Sequence, residues 1–303
     1  MIIIFLIQKK KPIFVSQNNT KTSEAMNGSV LINRVFDSVK VNENLDKFSN
    51  VLADGYLTTM FDNRQICKVE VSKIYYNFDF TTFSKSILSE IQKYFTPEKY
   101  MLKVASGVQE IRLVGDEIFI DNERFEKIIS IVNSTDKSRA LSMNVGLSRA
   151  DVGKSSQYCI ILTNFSNKHY KASLPEKIKS FSDNLINFNM DIDFHVKTIE
   201  DLKNKEVSIV DFAKLLLFNE DGKLIKTNEL KLRALGKNLR YKLNFRKYYN
   251  TLTNLTADKI NGVEDFTINS KVLFDAYIEI FRDQDTSIIA RESRRIIETL
   301  DSL

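Results

Sequence analysis

Ile111-Arg112-Leu113-Val114-Gly115-Asp116-Glu117-Ile118-Phe119-Ile120 is the stretch that decides how this chain folds. Two apolar-rich runs flank Gly115-Asp116, a pattern that reads as two strands joined by a tight, glycine-containing turn. Strands this close in sequence pair antiparallel, because a parallel return needs a crossover of a dozen or more residues. The neighbouring segments extend the pattern. Ile128 to Val132 is a further β-like run, and Leu141-Ser142-Met143-Asn144-Val145 alternates apolar and polar. Tyr158-Cys159-Ile160-Ile161-Leu162 suits a buried strand. Upstream, Ile66-Cys67-Lys68-Val69-Glu70-Val71-Ser72-Lys73-Ile74 has the period-two spacing of a half-buried strand. Polar segments at residues 16–30 and 133–138 read as loops. The middle of the chain is therefore expected to be an antiparallel meander.

Helical spacing appears on either side of it. Phe83 to Phe95 places Ile87, Leu88, Ile91 and Phe95 on one face, with Thr82 or Ser84 as N-cap and Pro97 marking the end. Beyond about residue 205 the segments Val207 to Phe218, Leu230 to Tyr249, Lys271 to Arg282 and Thr286 to Leu300 all read as helices. The expected class is α+β: a strand meander with packed helices over residues 1–205, then a helical, basic region over residues 206–303.

The opening residues, Ile2-Ile3-Ile4-Phe5-Leu6-Ile7 followed by Gln8-Lys9-Lys10-Lys11, are far short of the ~20 apolar residues that span a bilayer. A secretory signal carries its positive charge before the apolar stretch, not after it. An edge strand, or an extension that pairs with another chain, is the better reading. A protein with no membrane contact, in the cytoplasm of a host cell or in a virion, is expected.

The chain has 303 residues, 44 Lys and Arg against 39 Asp and Glu, and only 9 Gly, 3 Pro, 2 Cys and 2 His. Cys67 and Cys159 cannot build a disulfide framework, and both lie in apolar runs that suggest buried thiols. So few Cys and His exclude zinc fingers and histidine-rich metal cages. No cofactor is implied. The preference for Lys over Arg, with frequent Ile and Asn, fits an AT-rich coding bias of the kind seen in phages and low-GC bacteria.

The net charge of +5 is unevenly placed. Lys223 to Tyr249 holds six Lys, three Arg and one acid, Glu229, so it sums to +8 and the remainder to −3. On a helix Leu232, Leu235, Leu239 and Leu243 form an apolar stripe, and Arg233, Lys237, Arg240, Asn244 and Lys247 form a basic one beside it. Lys242 and Arg246 add charge. Tyr241, Tyr248 and Tyr249 could stack on unpaired bases while the cations neutralise phosphates. Arg291, Arg294 and Arg295 of the last helix could extend this surface.

Three catalytic patterns compete with it. Gly153-Lys154-Ser155 lacks the glycine a phosphate loop needs five positions earlier, where Ser148 stands, and a strand-like run follows it instead of a helix. His169 sits in a polar turn, and no nucleophile-elbow signature surrounds a serine. Asn189 to Val196 alternates, so that on a strand Asp191, Asp193 and His195 would share one face and could hold a divalent metal. The balance favours a binding protein over an enzyme.

The stretch from Gly115 to Ala140 resembles a widespread phage and plasmid protein family of unknown function. The resemblance rests on Gly115-Asp116-Glu117-Ile118-Phe119-Ile120 and on a strand ending in Ile131-Val132-Asn133-Ser134. Thr135 and Lys137 stand where the family favours His and Gly, and its tryptophan-containing signature has no counterpart here. The resemblance implies a mobile-element origin and a remote kinship with phage single-strand annealing proteins, whose meander-plus-helix fold holds DNA in a basic groove. The expected activity is thus binding, protection or annealing of single-stranded DNA by a homo-oligomer. The alternative is a structural or assembly protein of a phage particle, with the apolar N-terminus and the Ile-rich last helix as subunit contacts.

Overall fold

The computed structural model describes residues 2–8, 11–17, 29–54, 56–70, 79–105, 107–134, 140–149, 158–167, 174–243 and 245–303. In chain order the first elements are strands β1 (Ile2–Gln8), β2 (Lys11–Gln17) and β3 (Ser29–Val35), helix α1 (Ser38–Asp46), and strands β4 (Phe48–Ala53), β5 (Tyr56–Phe61) and β6 (Arg64–Glu70). Helix α2 (Phe80–Ile91) leads to strands β7 (Lys99–Ala105), β8 (Val108–Ile120), β9 (Glu123–Ser134), β10 (Leu141–Arg149) and β11 (Tyr158–Asn167). Helices α3 (Leu174–Leu185) and α4 (Phe188–Lys203) follow. Strand β12 (Glu206–Ser208), helices α5 (Ile209–Leu217), α6 (Lys226–Lys242) and α7 (Phe245–Thr253), strand β13 (Thr267–Asn269), and helices α8 (Ser270–Ile278) and α9 (Thr286–Asp301) complete the chain.

The architecture is α+β. Eight strands form one antiparallel sheet in the order β11-β10-β9-β8-β7-β3-β1-β2. β4, β5 and β6 form a separate antiparallel three-stranded sheet, and β12 pairs with β13. The deciding stretch is one continuous strand, not two. The chain reverses at Asp121 and Asn122, whose positive φ values of 46° and 68° suit a tight hairpin turn. Gly115 serves another purpose. A Cβ there would lie 2.5 Å from the Phe95 ring, and the register shifts between Val114 and Glu117, so the glycine marks a bulge that admits Phe95.

Other boundaries move for equally local reasons. Asp79, rather than Thr82 or Ser84, caps α2 by accepting from the Thr82 amide at 3.0 Å. β1 is not an edge strand, since it lies between β3 and β2. Cys67 lies half-buried in β6. The Cys159 side chain, Gly153-Lys154-Ser155, His169 and most of the polar segments at 16–30 and 133–138 fall outside the described residues.

One apolar core runs from Val30 to Leu300. Phe83 meets Phe181 with ring centroids 5.5 Å apart, which ties α2 to α3, and Phe95, in the segment after α2, meets Phe188 of α4 at 5.2 Å. The helical C-terminal region docks on the sheet through polar contacts. Ser130, Asn144 and Thr286 are wholly buried, and the Asn144 amide donates to Ser130 Oγ at 3.2 Å and to Thr286 Oγ1 at 3.1 Å. Ser142 and Ser287 hydroxyls meet at 2.7 Å. Ser130, Ser142 and Asn144 of the sheet are thus satisfied at the start of α9. Among the described residues no helix is long and apolar enough to cross a membrane.

Candidate nucleic-acid interface

Helix α6 packs inward through Leu232, Leu235 and Leu239, all fully buried. Asn228 anchors its first turn by donating to the Leu216 carbonyl at 2.7 Å and accepting from Arg295 at 3.2 Å. The sequence reads as one helix through Tyr249, but the chain leaves α6 at Leu243, which is extended. α7 then folds back across α6. Gly236 allows this, because a Cβ there would sit 2.5 Å from the Leu252 carbonyl oxygen. Gly236→Ala is expected to push the two helices apart and to cost about 1–3 kcal/mol of stability, read by urea denaturation.

The reversal decides which cations face solvent. Along α6 the outward line is Lys226, Leu230, Arg233, Lys237 and Tyr241, at spacings of four, three, four and four residues. Leu230 is 70% exposed and Tyr241 82%. Arg233 lies 3.6 Å from Glu229 across one exposed turn, a weak pair. Lys223, Lys226, Lys237, Arg246 and Lys247 are exposed and have no ion-pair partner among the described residues. Lys226 and Leu230 lie outside the basic stripe read from the sequence, although both keep its helical spacing with Arg233 and Lys237.

Other members of that stripe are committed elsewhere. Arg240 turns toward α7, donates to Thr253 Oγ1 at 2.9 Å and sits 5.4 Å from the centre of the Tyr249 ring. Lys242 faces Glu279 at 3.7 Å. Tyr248 stacks on Phe266 with centroids 4.0 Å apart, so that ring is already covered. Lys247 approaches its edge of the cluster, 5.0 Å from the Tyr248 ring. Tyr249 is 44% exposed. Asn244 lies outside the described residues. Lys231, counted in the +8 segment, is drawn inward to Glu292 at 2.8 Å.

Of the arginines of α9, Arg291 and Arg294 face solvent and Arg295 is half-buried. Arg291 pairs with the buried Glu292 at 3.1 Å, and Arg295 donates to Asn228 Oδ1 at 3.2 Å beside the first turn of α6. Burial works against ionisation of Glu292, but Lys231, Tyr277 and Arg291 together outweigh it and hold its carboxyl below the usual carboxylate range. Burial, reinforced by that carboxylate, pushes the Tyr277 phenol up.

The metal reading does not survive the fold. Asp191, Asp193 and His195 lie on helix α4, not on a strand. At 100° per residue Asp193 points away from the other two. His195 is buried against β10, hydrogen-bonded to the backbone of Asp191 and Val145, while Asp193 is exposed. Burial drives the His195 pKa down to about 4, against the opposing pull of those two hydrogen bonds. Among the described residues no three His, Cys, Asp or Glu side chains converge on a point that could hold a metal. Alternation in Asn189 to Val196 hid the true inward set, Phe188, Ile192, His195, Ile199 and Leu202, whose spacings of four and three are helical.

Comparison with family models, with curated proteins and with solved structures returns no match for this chain.

Proposed function

We propose that this protein binds nucleic acid, and single-stranded DNA in particular, on the outer face of α6 and α7. The observation that carries the reading is the solvent-facing line Lys226, Arg233, Lys237, which ends on the 82% exposed ring of Tyr241. Arg246 and Lys247 continue the charge onto α7. A row of cations lowers its free energy by releasing counterions from a phosphate backbone. An aromatic ring at its end adds stacking that only an unpaired base can accept. Tyr249, held beneath Arg240, is the second platform. Protection or annealing of single strands, in a phage or other mobile element, is the role such a surface would serve.

The test is fluorescence anisotropy with a labelled single-stranded oligonucleotide across a salt series. Arg233→Glu with Lys237→Glu should weaken binding by at least about tenfold. The slope of log affinity against log salt should become shallower by about 0.7 for each phosphate no longer neutralised. Tyr241→Ala should cost about 1–3 kcal/mol for single strands and little for duplex DNA. These side chains are exposed, so circular dichroism should be unchanged. Unaltered affinity in the double charge reversal refutes the assignment.

A further inference from the structure

A second surface, on the α3–α4 segment, has a different chemistry. Ile186, Met190 and Phe194 are 64%, 71% and 56% exposed, at successive spacings of four residues. Their helix is not short of a core, because Phe181, Leu185, Phe188, Ile192, His195 and Ile199 are buried behind them at spacings of four and three. That inward rhythm continues across the turn at residues 186–187, so the outward line keeps one direction as well. Lys179 and Asp183 precede the apolar trio, and Lys197 and Asp201 follow it, all exposed and none with an ion-pair partner among the described residues.

The order of these residues is symmetric. Read outward from Met190, Ile186 and Phe194 lie four residues away, Asp183 and Lys197 seven, and Lys179 and Asp201 eleven. With the 100° step of α3 and α4 carried through the turn at 186–187, as the inward spacing is, all seven positions fall within about 40° of one line. Each apolar residue is matched by an apolar one at the same distance, and each acid by a base.

We propose that this line is the contact for a second copy of the chain, laid antiparallel about a two-fold axis at Met190. A two-fold contact brings each residue opposite its counterpart at equal distance from the axis. Ile186 of one copy then covers Phe194 of the other, Met190 meets Met190, Asp183 faces Lys197, and Lys179 faces Asp201. A parallel arrangement would instead set like charges side by side, so the charges choose the antiparallel one. The acids Asp183, Asp193, Glu200 and Asp201 on this segment disfavour any polyanion or anionic lipid surface here. The inference does not rest on the nucleic-acid reading, since it uses none of the α6 or α7 residues.

Sedimentation equilibrium of the full chain, without nucleic acid, tests it. A concentration-dependent dimer is expected. Met190→Glu places two carboxylates on the axis and should weaken the dimer by about tenfold or more. Lys197→Asp sets an acid against Asp183 and should also weaken it. Asp183→Lys combined with Lys197→Asp reverses both members of the pair and should restore association. The side chains of Asp183, Met190 and Lys197 are all exposed in the single chain, so circular dichroism should stay as in the wild type, as should the melting temperature at concentrations where both are monomeric. A wild-type chain that remains monomeric, a dimer indifferent to Met190→Glu, or a double reversal no better than Lys197→Asp alone would each overturn the proposal.

Discussion

Glu292→Ala is expected to lower the unfolding free energy by about 3–5 kcal/mol, because it strands buried partners rather than merely deleting one contact. Glu292 is 2% exposed. Its Oε2 accepts from Lys231 Nζ at 2.8 Å and from the Tyr277 hydroxyl at 2.9 Å, and Oε1 accepts from Arg291 at 3.1 Å. Tyr277 is wholly buried, so the variant takes away its hydroxyl's carboxylate acceptor. Lys231 would be left as a partly buried charge beside the Phe281 ring, 5.3 Å from its centre. The effect reaches the candidate interface, since Lys231 belongs to α6 and its ion pair clamps that helix onto α8 and α9. Urea denaturation at neutral pH measures the loss. Glu292→Gln should recover part of it, because an amide oxygen still accepts from Tyr277 and Lys231. A loss below about 1 kcal/mol for the alanine variant would show that the cluster contributes no more than an exposed pair.

The second large effect is one of pH. His195 has an unfolded pKa of 6.5 and a folded pKa of about 4, so it is neutral in the fold at neutral pH. Between those two values the unfolded chain binds a proton that the folded chain does not. Unfolding is therefore favoured as pH falls through this window, and the stabilisation present above pH 6.5 is progressively lost. The full difference amounts to about 3 kcal/mol. Carboxylates titrate near the lower end of the same range, so the measurement must be differential. Urea midpoints for the wild type and for His195→Leu between neutral pH and pH 4 should diverge, with the wild type losing more. Parallel curves would mean that His195 gains solvent or a counter-charge on protonation.

These two expectations sit on residues to which the sequence assigns other roles. There Lys231 is one more cation of a basic segment, and His195 is a candidate metal ligand. Nothing in the local pattern separates a Lys that pairs inward from one that faces solvent. That depends on Glu292, 61 residues away, and on the packing of α9. The same holds for Arg240 and Tyr248, which the chain reversal at Leu243 turns toward α7 and Phe266. The signal for that reversal is weak, because Leu243 continues the leucine spacing and only Gly236 hints at a close crossing.

What the sequence by itself determined is the class and the distribution of charge. Short apolar, strand-like runs between Ile111 and Leu162 and helical spacing after residue 205 are set by which residues of each element must be dry, and a burial pattern of that kind is local. The concentration of cations between residues 223 and 249 is likewise a property of the chain alone. Tertiary structure decided the rest. It made one strand of Val108–Ile120, placed β1 inside the sheet, and wound Asp191, Asp193 and His195 onto a helix that parts them. It also chose which cations remain in water. Turns, sheet order and the partners of long side chains depend on what lies across the fold, and that energy is carried by contacts between distant residues, which no local spacing records.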